Sequence, residues 1–372
     1  MGKENRASSI DTLWFTRCAG NGRGGVPTAT GIAYQLGWFH DEFKRDGFRL
    51  RTLQDDDAGE FRHNHYDHQL PTLIREGGNV FSIPARAQGA KTRLIGLTWI
   101  DEGQSILVRQ ESDIHSATDL KGKRLALPVY RAEDITENKR GRSTARHHAI
   151  HGYDGALRSA GLTFDDVTLV EVGSQEDDGA DLRASGGGAW FGFQALQEGQ
   201  VDGFFVKGAS ALDAARLRGF RIGVDLDKIP DRRFRVNNGT PRPITVHEHL
   251  LEHHPDVVVR FLRQILRAAE WAKTNLEGVY DQLAKEIGAT REGLTAAYKN
   301  GFHLTLAPDL SDERVELFRR QKALLLRHGV LDRDFDLDAW IERGPIEEAA
   351  RSLESSRRRP VNQSGGAAQV AT

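Results

Sequence analysis

Cysteine and methionine each occur once among the 372 residues, at Cys18 and Met1. One cysteine excludes an intrachain disulfide framework and any all-cysteine zinc site. An excess of charge of one sign is missing as well: 51 Lys and Arg stand against 53 Asp and Glu, a formal net charge of −2. A general nucleic-acid binder draws affinity from counterions released by a basic face, so no nucleic-acid partner is expected. No run reaches the roughly 18 apolar residues of a membrane span, and no membrane partner is expected either. The opening Met1-Gly2-Lys3-Glu4-Asn5-Arg6 is polar and continues to Asp11 without an apolar stretch. It does not read as a secretory signal, which points to a cytoplasmic location, or a periplasmic one if a signal segment was removed.

What the chain does have is length and alternation. At about 150 residues per domain it can form two domains or one large two-lobed unit. Thr12-Leu13-Trp14-Phe15-Thr16 is apolar and β-branched and predicts a buried strand, with Cys18 just past its end. Gly20 to Gly25 is a glycine-rich turn, after which Ile32, Leu36 and Phe39 recur at helical spacing. Further strands are expected over 48–53, 92–98, 105–108, 125–127, 167–172 and 203–206, with helices over 79–88 and 147–160. The polar stretch from Asp55 to Gln69 reads as a loop. From Pro255 to His328 the pattern is helical, and Ser355 to Thr372, rich in Arg, Ser, Gly and Ala, predicts a disordered tail. The β–α–β alternation implies mainly parallel sheets, with ligands bound beyond the carboxyl ends of the strands.

Several residues could carry chemistry on that face. Cys18 has the usual reading of a lone cysteine, a small buried residue, beside that of a thiolate favoured by bared N–H groups. His63-Asn64-His65-Tyr66-Asp67-His68 matches the His-x-His-x-Asp-His spacing of metallo-β-lactamase-type hydrolases, with His147 or His148 as a further ligand. The acidic turn before it is not the buried strand such a motif follows, so no metal is expected. Arg75 with Gly77-Gly78 ahead of a helix could hold an anion on a planar fork and on N–H groups. Gly186-Gly187-Gly188 before Trp190-Phe191-Gly192-Phe193 reads as a hinge with an aromatic wall, or as an ordinary loop and core. Lys139-Arg140-Gly141-Arg142 reads as a solvated loop.

Three stretches resemble the nitrate-, sulfonate- and taurine-type solute-binding proteins: Asp119 to Pro128, Glu198 to Gly203, and His254 to Val258 with the helix running on to Trp271. The similarity spans about residues 10 to 345. It implies an α/β, two-lobed type II periplasmic-binding-protein-like fold, with mainly parallel sheets flanked by helices and a ligand cleft between lobes. Lobe 1 is then expected from 9–110 and 243–350, lobe 2 from 111–242, and the tail from 355–372. Within that superfamily the chain is most similar to the desulfinases, which remove a sulfinate group from an aromatic ring without a cofactor. Their pattern is a cysteine after the first strand, a histidine followed by an aromatic, an arginine ten residues on and a glycine three further. Cys18, His65, Tyr66, Arg75 and Gly78 fit it. The resemblance implies Cys18, His65 and Arg75 as catalytic residues and Gly77, Gly78 and Tyr66 as substrate contacts. It implies no cofactor, a small anionic sulfinate or sulfonate as ligand, and a monomer. The stretch from Cys18 to His65 looks longer than in that family, and Val129 to His151 matches it poorly. A non-catalytic binding protein for a sulfonate or nitrate has the same fold and needs no cysteine.

Overall fold

The computed structural model describes residues 10–17, 27–173, 192–299 and 301–358. Its strands are β1 (Thr12–Arg17), β2 (Arg49–Thr52), β3 (Leu73–Glu76), β4 (Thr92–Thr98), β5 (Ser105–Val108), β6 (Arg124–Pro128), β7 (Thr168–Val172), β8 (Gly203–Val206), β9 (Arg221–Asp225) and β10 (Arg242–His247). They form two five-stranded sheets, ordered β2-β1-β3-β10-β4 and β7-β6-β8-β5-β9. The two orders repeat one pattern: second, first, third, a crossing strand, fourth. In each sheet the crossing strand is the antiparallel one: β10 lies between β3 and β4, and β5 between β8 and β9. The chain enters the second sheet through β5 and leaves it through β10. Ser105–Val108 therefore belongs to the second sheet, ahead of the boundary expected at 110.

Because β1, β2 and β3 are mutually parallel, their carboxyl ends share one edge. Arg17 lies opposite Glu76, and Phe15 opposite Thr52. The sheet's face is held by helices over Ala29–Gln35, Trp38–Phe43 and Pro255–Ala272. Phe39 stacks on Phe261 with centroids 4.3 Å apart, and Phe15 packs against both. Gly37, at φ +74°, breaks the expected single helical run into two, a conformation glycine takes without strain. In the second sheet Leu125, Leu127 and Phe205 pack with Tyr153 of the helix Thr144–Ser159. The Tyr153 hydroxyl donates to the Ala126 carbonyl and accepts from the Phe205 N–H. The helix Gly344–Arg358 runs through Ser355, where a disordered tail was expected to begin; residues 359–372 lie outside the described ones. Among the described residues no helix is long and apolar enough to cross a membrane.

The first crossing is pinned by a buried carboxyl. Asp227 Oδ2 accepts the Gly103 N–H at 2.7 Å. Burial, and then the neighbouring Asp101 charge, push this carboxyl up to about 7. A folded-state value above the unfolded one means that stability is fully present below about pH 4 and lost as the pH rises through 7. Asp227→Asn keeps an oxygen for Gly103 and removes the titration. We expect it to melt with wild type near pH 4 and above wild type at pH 8. The ceiling on that gain is about 4 kcal/mol, at 1.36 kcal/mol per pKa unit. Equal melting temperatures at pH 8 would contradict this role.

Candidate active site

Among the described residues the site is built at the end of β3. Arg75 is 1% exposed and its side chain turns back on its own strand end. Nε donates to the His65 carbonyl at 2.9 Å and Nη2 to the Gly78 carbonyl at 3.1 Å. Two carbonyls from separate segments thus fix the plane of the guanidinium. Gly77 lies against it, since a Cβ there would stand 2.7 Å from Arg75 Cζ. The sequence spacing of ten and three residues corresponds to this geometry: the 3-10 and helical turns over Asp56–His63 and Asn64–Asp67 bring His65 back over β3. The 55–69 stretch is therefore not the loop its polarity suggests.

His65 is partly buried, with Tyr66 at 5.3 Å and Phe81 at 5.1 Å between ring centroids. Its pKa is held well below the usual imidazole range, first by burial and then by the charges of Arg75, His68 and Arg242. At neutral pH it is an uncharged imidazole able to give or take a proton. Tyr66 stands edge-on to Phe81, and the Arg142 guanidinium lies 4.9 Å from the Tyr66 ring centre while pairing with Asp67 at 3.3 Å. Arg142 comes from the second-sheet half, so the 139–142 stretch bridges the halves rather than lying solvated. On the other side of the strand end, Glu76 is buried; the loss of solvent raises its carboxyl to about 7.

The structure adds residues that sequence reasoning missed. Glu102, fully buried in the first crossing, pairs with both Arg242 of β10 and Lys207 just past β8. Arg242 is close enough to His65, Glu76 and His148 to bear on the titration of each. Asn238, in the return crossing, accepts the Val80 N–H on Oδ1 at 3.1 Å and contacts His148 Nε2 through Nδ2 at 2.9 Å. It thereby caps the helix Asn79–Ala87 from a position 158 residues away. Two of the N–H groups expected to face an anion are thus already engaged, Val80's by Asn238 and Gly77's by the Pro243 carbonyl. Asn237-Asn238-Gly239-Thr240-Pro241 carries no motif that would single it out in the sequence. His148 carries a signal, but for a metal rather than for this contact.

The remaining expectations fall as follows. Cys18 lies outside the described residues, directly after Arg17 of β1, as do Gly186 to Phe191. Phe193 is a core residue, packed on Phe204 and Phe220. Among the described residues no three His, Cys, Asp or Glu side chains gather where they could hold a metal; His63 is exposed and bonded to the Glu60 carbonyl.

Gly78 is required by contact rather than by backbone angle. Its φ is −57°, but a Cβ would lie 2.2 Å from Asn238 Oδ1. Gly78→Ala must push the amide off Val80 and His148. A loss of about 1–3 kcal/mol is expected from such overpacking. Thermal melting reads it, and an unchanged midpoint would remove Asn238 from this account.

No family model matches the chain. In sequence it is 27% identical to 2′-hydroxybiphenyl-2-sulfinate desulfinase of Rhodococcus erythropolis, over 91% of this chain and 93% of the relative. A crystal structure of a DszB variant with cysteine replaced by serine, in complex with biphenyl-2-sulfinic acid, superposes with a TM-score of 0.70 at 22% identity, covering 92% of this chain and 99% of the other. The periplasmic aliphatic sulphonate binding protein SsuA from Escherichia coli superposes with a TM-score of 0.60 at 17% identity, covering 90% and 93%. The chain is thus similar to a sulfinate desulfinase over nine-tenths of its sequence, and its fold is the two-lobed one shared by that enzyme and the periplasmic sulfonate-binding proteins.

Proposed function

We propose that this chain is a cofactor-independent desulfinase that cleaves the C–S bond of an organic, aromatic sulfinate and releases sulfite. The observation that carries the reading is the convergence of His65, Arg75 and Gly78 at one strand end, in a chain similar throughout to a sulfinate desulfinase. In this reading Arg75 binds the sulfinate oxygens with its planar guanidinium, a charge-assisted contact stronger than a neutral one. Closing the lobes excludes water and strengthens that contact. Tyr66 and Phe81 offer aromatic surface beside it.

Cys18 then acts by one of two routes. As a neutral thiol it protonates the ring carbon, which keeps the C–S electron pair while sulfur leaves as sulfur dioxide. Water adds to give hydrogen sulfite, and the proton released returns to the thiolate through His65. As a thiolate, Cys18 bonds sulfur instead; the ring carbon leaves with the electron pair and takes a proton from water through His65. Water then frees hydrogen sulfite from the S–SO2 adduct. Both routes use a neutral His65 as relay, which its surroundings favour.

The fold it shares with SsuA supports a second reading, a monomeric sulfonate-binding protein without catalysis. The desulfinase reading goes with a cytoplasmic enzyme, the binding reading with a periplasmic one. Sulfite release from biphenyl-2-sulfinate and alkyl sulfinates, wild type against Cys18→Ser, separates them. Sulfite from wild type alone supports the desulfinase. No release, with tight calorimetric binding of alkanesulfonates, overturns it in favour of the binding protein. Arg75→Lys keeps the charge but loses the fork, so turnover is expected to fall at least about tenfold. Near-full activity in that variant would remove Arg75 from the sulfinate.

A further inference from the structure

We infer that His148, acting through Asn238, is a positioning residue that fixes the Arg75–Gly78 turn from the opposite lobe. The inference rests on the reading of that turn as the anion site. The orientation of the Asn238 amide follows from its neighbours. The Val80 backbone N–H can only donate, so the atom facing it is Oδ1. Nδ2 then faces His148 at 2.9 Å, and an NH2 group can only donate to that ring nitrogen. His148 Nε2 must therefore be the bare acceptor, with the imidazole neutral. Its surroundings agree: burial first, then the Lys207, His151, His147 and Arg242 charges, hold its pKa well below the usual range.

The link is tight at each step. Asn237 Nδ2 donates to the His148 carbonyl at 3.1 Å, so adjacent asparagines hold both the backbone and the ring of one histidine. Lys207 Nζ donates to the Asn238 carbonyl at 2.6 Å. On the far side the Asn238 amide presses on Gly78, whose carbonyl receives Arg75 Nη2. The carbonyl of Val80 is covered by Gly141, where a Cβ would approach to 2.2 Å. His148 sits on Thr144–Ser159 and Gly78 at the start of Asn79–Ala87. A shift of one helix against the other moves the amide, and the amide moves the turn that holds Arg75.

The test separates the hydrogen bond from mere packing. His148→Gln keeps an acceptor that can reach Nδ2; His148→Leu keeps bulk and loses it. Hydrogen exchange over residues 76–83 is measured in the ligand-free full chain. His148→Leu is expected to speed exchange about tenfold or more at Val80, and His148→Gln by no more than about twofold. In an Asn238→Ala background His148→Leu should add nothing, since the two act as one unit. With biphenyl-2-sulfinate as substrate, His148→Leu should raise KM at least about fivefold with a smaller change in kcat. Unchanged exchange in His148→Leu, or equal acceleration in both single variants, overturns the inference. If His148→Leu does not fold, His148→Asn, too short to reach Nδ2, takes its place under the same criteria. A wild type that releases no sulfite sinks the desulfinase reading, while the exchange comparison still decides the role of His148.

Discussion

The two halves of this protein are joined where the chain crosses between sheets, and one buried carboxylate holds both crossings. Glu102, in the outward crossing, is fully buried and takes Arg242 of the return crossing and Lys207 from the end of β8. A buried ion cluster of this kind is weak evidence for stability as such, because desolvation offsets much of the attraction. Its value lies in placement. Removing one member leaves charge stranded without solvent, so the crossings are tied to one arrangement. Everything that meets at the cleft hangs from that arrangement: Asn237 and Asn238 just before Arg242, and β10 laid between β3 and β4.

The same cluster sets the chemistry around it. Arg242 serves Glu102 and also bears on His65 from one lobe and His148 from the other. Burial and this positive field act in the same direction on both imidazoles, keeping them uncharged at neutral pH. On the Glu76 carboxyl the two effects oppose each other: burial raises its pKa, and the Arg242 and Arg75 charges lower it. Burial wins there. The cleft therefore carries positive charge on guanidinium and ammonium groups while its histidines remain available as hydrogen-bond acceptors. Asn238 depends on this, since a protonated His148 could not accept its amide.

Much of the frame was legible in the sequence. The apolar runs that became β1, β4, β5 and β8 fell within a residue of their positions, because buried strands leave continuous apolar signatures. β10 was not legible: prolines at 241 and 243 mask its start, and the strand buries a charged residue where an apolar one is expected. Arg242 is tolerated inside because Glu102, 140 residues away, meets it, and no local pattern encodes such a partner. The helix Ala209–Leu217 hid for a different reason, being built largely from alanine with a weak apolar stripe. At the site, the desulfinase-like spacing pointed to His65 and Arg75, and the structure brings the His65 carbonyl to Arg75 Nε. Asn238 and His148 stayed invisible, since their roles exist only where one crossing passes between two helices.

Those contacts bear on the choice between catalysis and binding. A site that merely holds a sulfonate needs cations and donors, and Arg75, Arg242 and Lys207 would suffice. It has no use for an imidazole kept neutral beside two guanidinium groups. His65 is such a group, held uncharged by burial and by the neighbouring Arg75 and Arg242. A proton relay does have a use for it, because the group must take up and pass on a proton without retaining it. A neutral His65 is thus a group that the desulfinase reading uses and the binding reading leaves idle.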